Sequence, residues 1–190
     1  NPEHIAIGNL SNSNIPELAV FREKDSNDVN DEGSLEVYQF DGERYALLDK
    51  ISMNFDNTNY QLVIGKVAED QNGIYLNNQA GSHSGITYGF ILEDGKLKNI
   101  LNPKKTNLIS IFTNNEIKDI DNDGILEFSI YMIDPESMVQ DPMESDKIKF
   151  WYKWDGNDGS ILVDMEKEKN IKSLNNASSN KKVLETAEQI

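Results

Sequence analysis

Asp119, Asp121 and Asp123 stand on every second position of the stretch KDIDNDGILEFSIYM, Gly124 follows them, and Glu127 comes three residues after the glycine. Carboxylate oxygens are hard donors, and calcium gathers six to eight oxygens from Asp and Glu side chains, backbone carbonyls and water. Alternating acids in a tight loop can converge on one ion, and a glycine lets the chain reverse sharply between them. The ligand set offered by this spacing is Asp119, Asp121, Asp123, the backbone carbonyl of Ile125, and Glu127. The competing reading is a metal-free polar turn, because Asp, Asn and Gly are all turn formers. Against it stands the mutual repulsion of four carboxylates packed into nine residues. An EF-hand does not fit. Its bidentate acid belongs at the twelfth loop position, here Ile130, and FSIYM alternates like a strand rather than a flanking helix.

Other residues offer less chemistry. GSHSG at 81–85 has the outline of a nucleophile elbow, but the central residue is His83 where that motif needs serine. A base would have to come from His4, the other histidine, near one end of the chain. A loop ahead of the strand pattern starting at Ile86 is the simpler reading. Paired carboxylates for glycoside hydrolysis have no distinguishing signal, because acids are spread along the whole chain and sequence spacing does not give their separation. Trp151 and Trp154 flank Tyr152. Trp154 alternates with Ile148 and Phe150 and reads as core, while Trp151 falls on the lysine face and is the candidate for stacking on a ligand.

The elements that must position these groups are strands arranged in a repeat. Short apolar strands open three segments, IAIGNL, LVIGKV and NEIKDI, in which Ile7, Ile64 and Ile117 correspond at a period of about 55–60 residues. Each segment later carries an Asp-Gly pair, at Asp41, Asp94 and Asp155, between runs of period-2 alternation, which is a hairpin signal. The expectation is an all-β domain over 1–168. It contains three propeller-like repeats, 5–58, 59–110 and 111–165, of about four antiparallel strands each, alone or as part of a larger β-propeller. Residues 22–34 read as a solvated acidic loop and 133–146 as an irregular excursion with two prolines. In the polar tail 169–190, Val183, Leu184, Ala187 and Ile190 share a helical face behind Ser179; a short docking helix and a frayed end both fit.

Bulk properties narrow the partners. The 190 residues carry a formal charge of −15, with 37% hydrophobic and 27% charged residues and no cysteine. Such a balance argues against nucleic-acid phosphates, which require clustered Lys and Arg, and against an anionic membrane surface. Disulfides and thiolate catalysis are excluded. No stretch approaches the roughly 18–20 apolar residues that span a bilayer. The opening at Asn1, without Met or signal peptide, reads as a mature or trimmed chain, and the Asn, Lys and Ile bias favours a bacterial source.

The acidic loop and the repeat together are similar to FG-GAP/VCBS-type repeats, the blades of integrin-like β-propellers, whose calcium loop is written D-x-D-x-D-G-x-x-D-L. On that resemblance Asp119, Asp121 and Asp123 take the first three ligand roles and Ile125 the backbone one, with Glu127 in place of Asp and Phe128 in place of Leu. The first repeat resembles the same loop with its charges removed: Asn9, Ser11, Ser13 and Glu17 align with Asp119, Asp121, Asp123 and Glu127. The second keeps Glu69, Asp70 and Gly73 but loses the spacing. The resemblance implies an exported or cell-surface protein, anchored by lipid or free, with structural calcium and a non-enzymatic role in binding or adhesion to a protein or glycan. It leaves completion by further repeats or by another copy open. The alternatives it leaves are an accessory or catalytic domain of a carbohydrate-active enzyme and a spacer in a surface lipoprotein.

Overall fold

The computed structural model describes residues 4–11, 13–23, 32–53, 60–80, 84–101, 109–110, 115–139, 144–157 and 159–168. The expectations for residues 24–31, for His83 and for the tail 169–190 lie outside them. The described chain is all-β, with three antiparallel sheets each built from four consecutive strands. Sheet 1 contains β1 (Ile5–Gly8), β2 (Glu17–Arg22), β3 (Gly33–Phe40) and β4 (Tyr45–Met53). Sheet 2 contains β5 (Tyr60–Ala68), β6 (Gln71–Ala80), β7 (Ser84–Glu93) and β8 (Lys96–Asn99), and β9 (Ile109–Ser110) pairs with the start of β7. Sheet 3 contains β10 (Ile117–Lys118), β11 (Glu127–Ile133), β12 (Lys147–Trp154) and β13 (Ser160–Glu168). No sheet closes on itself. Between β11 and β12 a 3-10 turn at Pro135–Ser137, capped by Asp134, replaces regular structure.

Strand register identifies equivalent positions. Ile7 pairs with Leu18 and Leu18 with Tyr38; Ile64 pairs with Ile74 and Ile74 with Phe90; Ile117 pairs with Phe128 and Phe128 with Tyr152. Sheets 1 and 3 even share an irregularity: a bulge falls between Val37 and Tyr38 and at the matching Trp151 and Tyr152. Each Asp-Gly pair turns the third strand into the fourth. In β7–β8 both turn residues have positive φ, 51° at Asp94 and 73° at Gly95, the primed geometry that suits the strand twist. Asp41 and Asp155 instead use Oδ1 to accept backbone N–H groups of their own turns, from Glu43 and Arg44, and from Asn157 and Gly159.

The apolar faces stack in chain order. One core, with Phe21, Leu35 and Val37 against Ile74, Leu76 and Phe90, lies between sheets 1 and 2. A second, with Val67, Tyr75 and Leu101 against Ile117, Phe128 and Ile130, lies between sheets 2 and 3. Close approach depends on glycine at one repeat position. A Cβ on Gly8 would sit 2.5 Å from Ile64 Cγ2 of sheet 2, and one on Gly65 2.6 Å from Leu126 Cδ1 at the edge of sheet 3. Asp49 on β4 adds a polar tie, accepting the Leu97 N–H at 2.8 Å and the Lys96 ammonium at 3.0 Å on β8.

Candidate metal centre

The acidic loop joins β10 to β11 and closes through its own carboxylates. Asp119 Oδ2 accepts the Gly124 N–H at 2.9 Å, Asp121 Oδ1 accepts the Asp123 N–H at 3.1 Å, and Asp123 Oδ1 accepts the Ile125 N–H at 2.7 Å. Positive φ at Asn122 (61°) and Gly124 (85°) bends the backbone around these bonds, which suits Asn and Gly. The loop exit is tied to sheet 2: the Leu126 N–H donates to the Lys66 carbonyl at 2.7 Å. The loop is therefore a joint between two sheets as well as a turn within one.

Glu127, the first residue of β11, is fully buried at 0% exposure. Its Oε2 accepts the Ile120 N–H at 2.9 Å, but among the described residues no donor reaches its Oε1, nor Oδ1 of Asp119. Carboxylate oxygens of Asp119, Asp121 and Glu127 all lie within 4.8 Å of one another. Burial chiefly, and then the negative charges of Asp121, Asp123 and Asp119, push the Glu127 carboxyl above its ordinary value against the opposing Ile120 N–H. Three converging carboxylates with two bare, buried oxygens form a hard, oxygen-only donor set. Asp123 stands apart, its Oδ2 paired with the Lys153 ammonium at 3.2 Å. Ile125, half-buried, donates its N–H to Asp123.

The first repeat shows how the same turn is held without those charges. Glu17 opens β2 as Glu127 opens β11, is equally buried at 0% exposure, and accepts the Leu10 N–H at 2.8 Å as Glu127 accepts that of Ile120. Its second oxygen is occupied: the Ser11 hydroxyl donates to Glu17 Oε1, and Gln39 Nε2 reaches it at 3.3 Å. Burial pushes Glu17 up, but donors from Ser11, Leu10 and Gln39 outweigh it and hold the carboxyl below the usual range. Ser11 holds the position of Asp121, so a hydroxyl supplies internally what the third loop leaves open. In the second repeat a two-residue turn at Glu69 and Asp70 replaces the loop, and Gly73 takes the place of the glutamate in the register. A Cβ there would lie 2.7 Å from the Phe90 carbonyl oxygen and 2.8 Å from Val67 Cγ2, so no carboxylate side chain fits.

Trp151 does not fit the role of a ligand platform. It lies on the lysine face of β12, yet it is buried at 0% exposure. The ammonium groups of Lys149 and Lys118 stand over its ring at 4.6 and 4.8 Å, and its indole N–H donates to Glu166 Oε1 at 3.0 Å. Lys149 is itself held by an ion pair with Glu116. With its ring covered by cations, Trp151 has no open surface on which a sugar could stack; its work is packing and cation–π contact. Trp154 is buried in the core between sheets 2 and 3.

The sequence did not single out Lys153 as a partner of the loop, because the two are brought together by strand pairing across 30 residues. Compared with known proteins, the chain matches no family model, no curated protein and no solved structure. The FG-GAP/VCBS resemblance accordingly rests on the motif and the repeat alone.

Proposed function

We propose that this chain is a non-enzymatic, calcium-stabilised binding or adhesion module acting outside the cell or at its surface. The observation that carries the reading is the Glu127 carboxylate, fully buried with Oε1 unpartnered against Asp119 and Asp121. An isolated buried charge is strongly unfavourable unless it is paired or coordinates a metal. The donors are all oxygens, which favours a hard cation, and a flexible, irregular carboxylate set suits calcium better than the octahedral demand of magnesium.

The ion acts as a staple of the fold. Asp119, Asp121 and Glu127 would hold it between β10 and β11, with Asp123 and the Ile125 carbonyl completing the set on the family pattern. Through the Leu126–Lys66 bond its effect would reach sheet 2. Sites of extracellular modules commonly bind at about 10⁻⁴–10⁻³ M, which suits calcium-rich surroundings. A propeller-like arrangement of the three repeats would use the outer face of sheet 1 for a further repeat or another copy. Ile7 (67% exposed) and Ile5 (49%) there correspond to Ile64 and Leu62 of sheet 2, which pack against the preceding sheet.

Thermal unfolding with calcium and with chelator tests the reading. Calcium should raise the melting temperature, and Asp121→Ala should abolish that shift while leaving a folded protein. An identical melt of the wild type under both conditions would sink the proposal.

A further inference from the structure

We propose that Lys153 is the built-in counter-cation of the acidic loop, and that it sets the loop's calcium affinity by competing with the ion for Asp123. The inference rests on the metal reading above and concerns how the same site is regulated. Among the described residues the four loop acids have one ion pair, Lys153 Nζ to Asp123 Oδ2 at 3.2 Å. Both oxygens of Asp123 are then engaged, Oδ1 by the Ile125 N–H and Oδ2 by Lys153. By contrast Asp119 Oδ1 and the fully buried Glu127 Oε1 keep no partner, and with Asp121 they form a convergent cluster to which Asp123 does not belong.

The loop thus has two ways to balance its charge. In one, Lys153 reaches across from β12 and holds Asp123 outward. In the other, a divalent ion among Asp119, Asp121 and Glu127 draws Asp123 in as a fourth carboxylate, and Lys153 must release it. The second arrangement loses an ion pair and sets an ammonium group near a dication. The Lys153 side chain is 27% exposed and that of Asp123 35%, so both can swing into solvent when the pair opens. A merely structural pair on the surface would leave metal affinity unchanged.

Calcium titration by calorimetry on the full chain, comparing wild type, Lys153→Met and Lys153→Arg, decides the matter. Removing an exposed ion pair and a nearby like charge should tighten calcium binding roughly five- to tenfold in Lys153→Met. Lys153→Arg, which keeps the charge, should bind like wild type, and adding Asp123→Asn to Lys153→Met should cancel most of the gain. In chelator, Lys153→Met should melt below wild type because the acids lose their counter-charge, and calcium should reverse that order. Wild type that binds calcium with Lys153→Met no tighter would overturn the role of Lys153 alone. Absence of calcium binding in every variant would overturn the metal reading together with it. Binding only by Lys153→Met would support the competition in its strongest form.

Discussion

Replacing Glu127 by Gln separates the cost of a bare buried carboxylate from the benefit of a bound ion. Gln keeps an oxygen for the Ile120 N–H and brings an amide that can donate toward Asp119 Oδ1, which has no partner in the wild type. Leaving a buried polar group unsatisfied costs about 1–3 kcal/mol, and more for a charge. In a chain of this size 1 kcal/mol corresponds to about 2–4 °C in melting temperature, so Glu127→Gln in chelator should melt about 2–12 °C above wild type. Calcium at a hundredfold excess over its Kd should stabilise the wild type by about 2.7 kcal/mol, or about 5–11 °C, and the variant far less. The signature is a crossover between the two proteins, read by scanning calorimetry with and without calcium. The pH dependence has a definite sign. A carboxyl whose folded pKa lies above its ordinary 4.5 contributes stability below that value and loses it as pH rises through the folded pKa. The metal-free wild type should therefore weaken across that window while Glu127→Gln does not. A variant that melts at or below wild type in chelator, or that shows the same calcium shift, would refute the reasoning.

Two further outcomes follow from contacts elsewhere. Ser11→Ala removes the hydroxyl that satisfies Glu17 Oε1 and leaves only the longer Gln39 contact at 3.3 Å. It should lower stability by about 1–3 kcal/mol in urea unfolding, independently of calcium. Asp49→Ala removes the tie between sheets 1 and 2 and should cost about 1.5–3 kcal/mol near neutral pH, since the lost hydrogen bonds involve a charged acceptor. The Leu97 N–H above all holds Asp49 below its ordinary 3.8, so this stability is present above that value and lost as pH falls through the folded pKa. The gap between variant and wild type should shrink in urea series taken below pH 3.8; a constant gap would point to packing instead.

The position of the loop explains why a metal there would matter to more than one turn. Lys66 and Gly65 of β5 meet Leu126 immediately before Glu127, so the order of the loop is coupled to the closeness of sheets 2 and 3. At the matching place on β10 the third repeat carries Lys118 rather than glycine, and that lysine lies over Trp151. At the matching positions of sheets 1 and 2, glycine lets Ile64 and Leu126 of the next repeat approach.

Local chemistry was enough to read the strands, the three Asp-Gly hairpins and the acid spacing directly from the sequence. Period-2 alternation and turn residues act over a few positions, and the repeat multiplied each signal by three. What the sequence could not decide was which groups complete one another across strands. Gly73 standing where Glu17 and Glu127 stand, Ser11 satisfying in Glu17 the oxygen that stays bare in Glu127, and Lys153 pairing with Asp123 are all set by register between distant segments. The same holds for Trp151. Alternation put it on a polar face, and only the tertiary arrangement of Lys118, Lys149 and Glu166 over and beside its ring made that face a buried one. Sequence determines which side of a strand a residue occupies; what covers that side depends on chain brought from elsewhere.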